Sequence, residues 1–551
     1  MRSEQNKYTL REIMRWMLRA WKGNYLQASI NAAIGVLDVV VSLTQVWAVK
    51  NAIDIASGRH EGSIYWAVGI MGLLILATFA LGISGTWVQN ILGIRAQNRM
   101  QQQMLDRILR SEWQGKEKMH SGDMINRLES DVSNVVNFLT TTIPSLLSTL
   151  CLFVGAFAYL FSMDRRLAII IVILIPLFLI LSRVYIKRMR QLNRKVREGD
   201  SRVQSILQET LQNRMLIKTL EGDDEMVGRL EDTQSELRHR VVKRTAFSVF
   251  SRLIVNTGFA FTYLLAFLWA ALRLSADTLT FGGMTAFLQL VNRIQSPARQ
   301  MTKLIPAAVS VFTAAERLME LEENPLEEQG EPIWLEGSCG IRFSNVSYAY
   351  PDDNENVIDN LNFDFKPGTC TAVLGETGAG KTTLIRIIMA LLHPNSGSVT
   401  IYNKEKEKTI SPRLRCNLVY VPQGNTLMSG TIRDNLRLGK LDATDEEMKE
   451  ALRKSCADFV FELPDGLDSL CSEKGAGLSE GQAQRIAIAR ALLRNRSVMI
   501  FDEATSALDM DTERQLLNNI LESSDKTVIF ITHRMAVADY CNAVLKIERN
   551  K

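Results

Sequence analysis

Residues 374–384 read LGETGAGKTTL. Gly375, four further residues, Gly380, Lys381 and Thr382 have the spacing of a phosphate-binding loop. Glycine torsions let successive N–H groups curl around an anion, and the helix that follows adds its partial positive charge. On this reading Gly375, Glu376, Thr377, Gly378, Ala379 and Gly380 form the cradle, with Thr383 just behind it. Lys381 reaches the β and γ phosphates, and the Thr382 hydroxyl binds Mg²⁺. The bland alternative, a strand–turn–helix with chance glycines, fits less well beside the apolar run TAVL and the helix-like TTLIRIIMALL.

A second stretch, VMIFDEATSALD (498–509), sets two adjacent carboxylates after an apolar, strand-like run. Beside a phosphate loop, Asp502 suits the Mg²⁺ shell and Glu503 suits a general base that polarises an attacking water. Acidic residues end many strands, so only the pairing with the loop makes this specific.

GLSEGQAQRIAIARALL (477–493) lies between the two, and with the phosphate loop it resembles the ATP-binding cassette family. LSEGQ is similar to that family's LSGGQ signature, with Glu480 in place of the first glycine. The resemblance implies that Ser479, Gly481 and Gln482 contact ATP held by the other cassette of a dimer. It implies further roles one residue at a time. Gln423 in YVPQGN would contact Mg²⁺ and the attacking water, and His533 in FITHRM would be the switch near the γ phosphate. Asp509 in SALD would lie at the dimer seam. Tyr350 in YAYP would stack on adenine, with Tyr348 as its rival. Glu473 in SEKGAG matches the glutamate of a loop that touches the cytoplasmic helices, and HSGDMINRLESDVSNV (120–135) resembles the first cytoplasmic loop of the exporter subfamily.

Something must position these residues and give hydrolysis a task. The chain has 551 residues, 46% of them hydrophobic, and a mean hydropathy of +0.00. That average hides two unlike halves, because long apolar runs crowd the first. Windows of ~20 apolar residues cross a bilayer core of ~30 Å, and six can be placed: 24–49, 64–90, 139–161, 167–186, 246–272 and 281–306. Lys and Arg gather before the first window and in 91–138 and 187–245, while the alternate loops are short and poor in them. That bias places both termini and the ATPase domain in the cytoplasm. It also explains the net charge of +4 without nucleic acid. Seven cysteines without metal-type spacing suit a reducing cytosol.

Leu10, Ile13, Met14, Met17 and Trp21 fall at helical spacing opposite Lys7, Arg11, Arg15 and Arg19, the pattern of an amphipathic helix on the inner leaflet. The expected organisation is an interfacial helix (1–23), an all-α six-helix membrane domain with two long cytoplasmic loops (24–321), a linker (322–332) and a soluble α/β phosphate-loop ATPase domain (333–551). The resemblance implies a half-transporter, a homodimer rather than a heterodimer, that uses ATP and Mg²⁺ to export or flip an amphiphilic small molecule, lipid or peptide across an inner membrane. An ATP-gated channel or regulator is the alternative. In the sixth window Gln289, Asn292, Arg293, Ser296, Arg299, Gln300 and Lys303 share one helical sector, which would favour an anionic substrate. The competing account pairs Arg293 with Asp38 of the first window.

Overall fold

The computed structural model describes residues 8–113, 121–351, 355–376, 378–471, 477–522 and 525–548. Two compact units result: 1–105 with 124–321, and 106–123 with 322–551.

The first unit is helical. Helix α1 (Leu10–Ala20) opens on a capping box in which the Thr9 hydroxyl accepts from the Glu12 amide while the Glu12 carboxylate accepts from the Thr9 amide. Its buried side chains are Ile13, Trp16 and Met17, joined by Trp21 just beyond its end. The buried face is thus turned towards Trp16, which the helical pattern had not included, and Leu10 is 62% exposed.

Six long helices follow: α2 (Tyr25–Ala56), α3 (Ile64–Arg110), α4 (Gly122–Met163), α5 (Arg165–Gln212), α6 (Asp223–Ser275) and α7 (Phe281–Glu323). Each contains one of the six apolar windows. Among the described residues, α2, α3, α4 and α6 carry stretches of mean hydropathy from 1.7 to 2.2, apolar enough to cross a membrane. Large side chains on α3 face outward, including Leu73, Leu76, Phe79, Ile83 and Trp87. Water does not tolerate so long an apolar band, whereas lipid does.

Inside the bundle, small residues let the helices close on larger ones. Ala156, Ala168, Ala266 and Ala286 pack with Leu160, Phe287, Leu290 and Ile294 in one buried cluster. Helix α4 widens into π-helical turns at Arg127–Asp131 and Phe138–Thr142. Near the first of these, Asp131 pairs with Arg317 at 3.0 Å, and the Arg127 guanidinium donates to the Arg317 carbonyl at 2.7 Å. The buried Asn31 amide donates to the Thr140 carbonyl at 3.0 Å, joining α2 to the second π turn. The side chains of Arg299, Gln300 and Lys303 lie outside the described residues.

The second unit is α/β. Strands β1 (Gly340–Tyr348), β2 (Ile358–Phe365), β4 (Ser396–Tyr402) and β5 (Glu407–Thr409) form an antiparallel sheet ordered β2-β1-β4-β5. A parallel sheet ordered β11-β3-β10-β9-β6 is built from β3 (Cys370–Gly375), β6 (Leu418–Val421), β9 (Val498–Asp502), β10 (Thr527–Ile531) and β11 (Ala543–Ile547). Strands β7 (Gly430–Thr431) and β8 (Leu470–Cys471) make a short ribbon. Strands β9 and β10 are buried at every position, which accounts for the unbroken apolar runs VMIF and VIFI of a sheet covered on both faces.

This unit also holds the end of α3. Ser111 bridges Leu326, the Glu112 amide donates to the Pro325 carbonyl at 2.8 Å, and the Glu327 amide donates to the Arg110 carbonyl at 2.9 Å. Arg415 grips the Glu327 carboxylate through two hydrogen bonds of 2.7 and 2.8 Å, and also donates to the Met389 and Ala390 carbonyls.

Candidate nucleotide site

In an open parallel sheet, ligands gather beyond the carboxyl ends of the strands. Four of the five parallel strands deliver a predicted residue there. Strand β3 ends at Gly375, β6 leads to Gln423, β9 ends at Asp502 and β10 leads to His533.

Gly375 must lack a side chain, because a Cβ there would lie 2.6 Å from the Ile547 carbonyl of β11. Gly380 has φ of 99°, a left-handed conformation, and caps helix α8 (Lys381–Ile388). The Lys381 ammonium lies across the loop and donates to the Gly375 carbonyl at 2.6 Å. A cation over a glycine loop at a helix N-terminus is a cradle for anions, and the residues present fit a triphosphate. Thr382 is exposed in the first helical turn, while Ala379 is buried beneath the loop. Thr377 lies outside the described residues, as does Glu473.

Thr383 turns inward, its hydroxyl 3.1 Å from that of Tyr350. Arg386, one helical turn on, donates to the same tyrosine oxygen at 3.1 Å and lays its guanidinium 4.3 Å above the Trp113 ring. Tyr350 is therefore tethered by its hydroxyl, with Tyr348 edge-on 5.1 Å away. Sequence reasoning did not find Arg386 or Trp113, since neither belongs to a motif.

Glu503 is held from two sides. The Gln423 Nε2 donates to its carboxylate at 2.8 Å, and His533 Nδ1 lies 3.4 Å from its other oxygen. Its backbone has φ of 48°, and its amide donates to the Ile531 carbonyl at 2.9 Å, so the chain turns sharply as it leaves β9. Such a conformation costs a non-glycine residue about 1–2 kcal/mol.

Asp502 is buried and accepts from the Tyr420 hydroxyl at 3.0 Å. Burial pushes its carboxyl above the usual carboxylate range, the neighbouring Glu503 charge adds to this, and Tyr420 and Lys381 oppose it. Burial likewise pushes the Tyr420 hydroxyl up, reinforced by the Asp502 charge. Tyr420 was also missed by sequence reasoning, its one signal being its place three residues before Gln423 on a short strand. A cation beside Asp502 would remove the cost of its buried charge. Its donor set is oxygen only, from Asp502, Thr382 and the Gln423 Oε1 left free of the Glu503 contact, and that set suits Mg²⁺.

The signature residues stand apart from this edge. Ser479 caps helix α9 (Glu480–Arg494) in a reciprocal box with Gln482, and Gly481 is buried where a Cβ would meet the Ala507 carbonyl at 2.8 Å. The substituting Glu480 is exposed. Asp509 accepts from the Thr512 amide at 2.9 Å at the start of helix α10 (Met510–Glu522), and this backbone contact lowers its carboxyl. Among the described residues, Ser479 and Gln482 hydrogen-bond to each other and not to the phosphate loop of their own chain.

A family model of the ABC transporter transmembrane region matches residues 30–297, and one of the ABC transporter matches 358–506. The chain belongs to the ABC transporter family. This ABC transporter is 28% identical over 549 residues to an ATP-dependent lipid A-core flippase of Bordetella avium, spanning 96% of this chain and 90% of that protein. It is 29% identical over 502 residues to a flippase of the same description from Thiobacillus denitrificans, spanning 89% and 85%. A bacterial Atm1-family ABC exporter solved with ATP bound has a TM-score of 0.79 across 96% of this chain and 95% of that one; at 20% identity this is a likeness of fold. The ABC transporter is thus a membrane protein that hydrolyses ATP to drive transport.

Proposed function

We propose that the chain works as a homodimer that flips or exports an amphiphile by alternating access, with both termini and the ATPase unit in the cytoplasm. The observation that carries this is the Glu503 carboxylate, clamped by Gln423 and His533 beside Asp502 and the Lys381 loop. An edge that only sensed ATP would not need an oriented base.

In this reading, backbone amides of residues 376–380 and the Lys381 ammonium bind the phosphates, and Tyr350 receives adenine. Mg²⁺, held by Thr382, Gln423 and Asp502, neutralises phosphate charge when bound. Glu503 takes the proton of the attacking water, while Gln423 and His533 keep its carboxylate aimed. Ser479, Gly481 and Gln482 of one chain serve the nucleotide of the other, which accords with their separation from their own loop. Asp509 lies at the seam.

The substrate class is an amphiphile with an acidic head. Lipid A-core flippases among the relatives support a lipid, and Arg293 within α7 supports a negative charge. The test is substrate-stimulated ATPase in lipid nanodiscs. Anionic amphiphiles are expected to stimulate more than cationic ones of equal chain length, and Arg293→Ala to remove the difference while leaving basal turnover. Equal stimulation by both classes, unchanged in the variant, would refute the anionic preference.

A further inference from the structure

Two thiols lie against one another outside the nucleotide site. Cys370 opens β3, and Cys541 stands two residues before β11, the parallel neighbour of β3. Their sulfurs are 2.7 Å apart, and both are free cysteines. A formed disulfide has its sulfurs at about 2.0 Å, so little motion separates contact from bond. The backbone holds the pair in register: the Asn542 amide donates to the Cys370 carbonyl at 2.8 Å, and the Cys370 amide donates to the Asn542 side-chain oxygen at 2.9 Å. Among the described residues, no other two cysteines are joined in this way.

The two sulfurs differ in surroundings. Cys370 is buried, whereas Cys541 is half-buried. Either thiol can donate in the contact, and the Cys541 thiol also reaches the Val537 carbonyl at 3.5 Å; the contact raises the Cys370 thiol and lowers that of Cys541. A half-buried thiol in contact with a second, resolving thiol is the arrangement that peroxide can oxidise to a disulfide.

We infer that Cys370 and Cys541 form a peroxide-oxidisable dithiol, with Cys541 reacting first and Cys370 resolving it. The Cys541 thiolate attacks one oxygen of hydrogen peroxide, the O–O bond breaks, and after proton transfer the products are a sulfenic acid and one water. The Cys370 sulfur then attacks the sulfenic sulfur, the S–O bond breaks, and a second water leaves with the Cys370 proton. Two thiols lose two electrons, and one peroxide is reduced to two waters. The resulting link closes the near end of a β3–β11 ladder whose far end pairs Ile547 with Gly375, the first glycine of the phosphate loop. Oxidation therefore staples the last strand to the strand that carries the loop.

The test uses the full chain in lipid nanodiscs, treated with hydrogen peroxide, alkylated and digested without reductant. The expected result is a linked peptide pair joining Cys370 to Cys541, two hydrogens lighter than the reduced pair. Free thiols should fall from seven to five, and dithiothreitol should restore them. Cys541→Ser should keep every remaining thiol, and Cys370→Ser should leave Cys541 as a sulfenic acid that dimedone labels. Sulfonic acid at Cys541 without the link, or first linkage through another cysteine, would overturn the inference. Because the mapping is done on the unsubstituted chain, it stands even if a serine variant folds poorly.

Discussion

Glu503 has two separable burdens, a carboxylate proposed as the base for turnover and a backbone held in a left-handed conformation. Replacing it with Gln, Ala and Gly tells them apart. All three remove the base, so each should lose roughly 10²–10⁴-fold in ATPase rate, a barrier increase of about 3–5 kcal/mol. Glu503→Gln keeps the shape, and its amide oxygen can still accept from Gln423 at the 2.8 Å position, so ATP binding and unfolding should change little. The Ala and Gly variants both lose the side chain but differ at φ of 48°. Glycine relieves a left-handed strain of about 1–2 kcal/mol and gives back about 0.5–1 kcal/mol through its freer unfolded chain. The Gly variant should therefore exceed Ala by about 1 kcal/mol, or roughly 2–4 °C in the unfolding midpoint of a unit this size. Phosphate release gives the rate, retention of labelled ATP gives binding, and calorimetry gives the midpoint. Turnover by the Gln variant within threefold of the parent would refute the base. An Ala variant as stable as Gly would refute the strain.

Mixing a Lys381→Ala chain, predicted to lose ATP binding, with a Ser479→Arg chain should restore one composite site of two in each mixed dimer and, with random pairing, about a quarter of the activity; no recovery on mixing, or full turnover by a monomer, would contradict the shared site. Asp502→Asn should abolish Mg²⁺-dependent turnover yet make the nucleotide-free protein more stable at neutral pH. The folded state keeps a proton on Asp502 that the unfolded state has released, so its contribution to stability falls as pH rises from about 4 towards the raised value, and Asn removes that fall. Parallel stability–pH curves for parent and variant would argue against this. Arg415→Ala strips hydrogen bonds from Glu327 and from the Met389 and Ala390 carbonyls, and should cost about 1.5–3 kcal/mol by calorimetry, with faster proteolysis in 322–332.

The phosphate loop was legible because its demands are local: glycines where a Cβ would collide or φ is positive, then a lysine at a helix start. The meeting of Gln423, Glu503 and His533 was not legible from spacing, since they are 80 and 30 residues apart. Only the family order of motifs anticipated it, and the parallel sheet accomplishes it by ending β6, β9 and β10 on one edge. The six long helices followed from apolar length alone. The protein buries Trp16 of α1 and leaves Leu10 open, because periodicity says which residues share a face but not which direction a tertiary partner occupies. Arg386 and Trp113 were invisible, since a cation over an aromatic ring joins segments with no common pattern.

The stitching of residues 110–112 to 325–327 means that the ATPase unit is discontinuous along the chain. A recombinant fragment cut at residue 333, where the cassette motifs begin, would be a different object from the unit in the intact protein. It would lack Trp113 beneath Arg386, and so would hold Tyr350 with a guanidinium that had lost its stacking face. It would also leave Arg415 without the Glu327 carboxylate that neutralises it. Nucleotide affinities measured on such a fragment would describe a site with Tyr350 loosened. A faithful excision would have to carry the end of α3 along, tethered in cis.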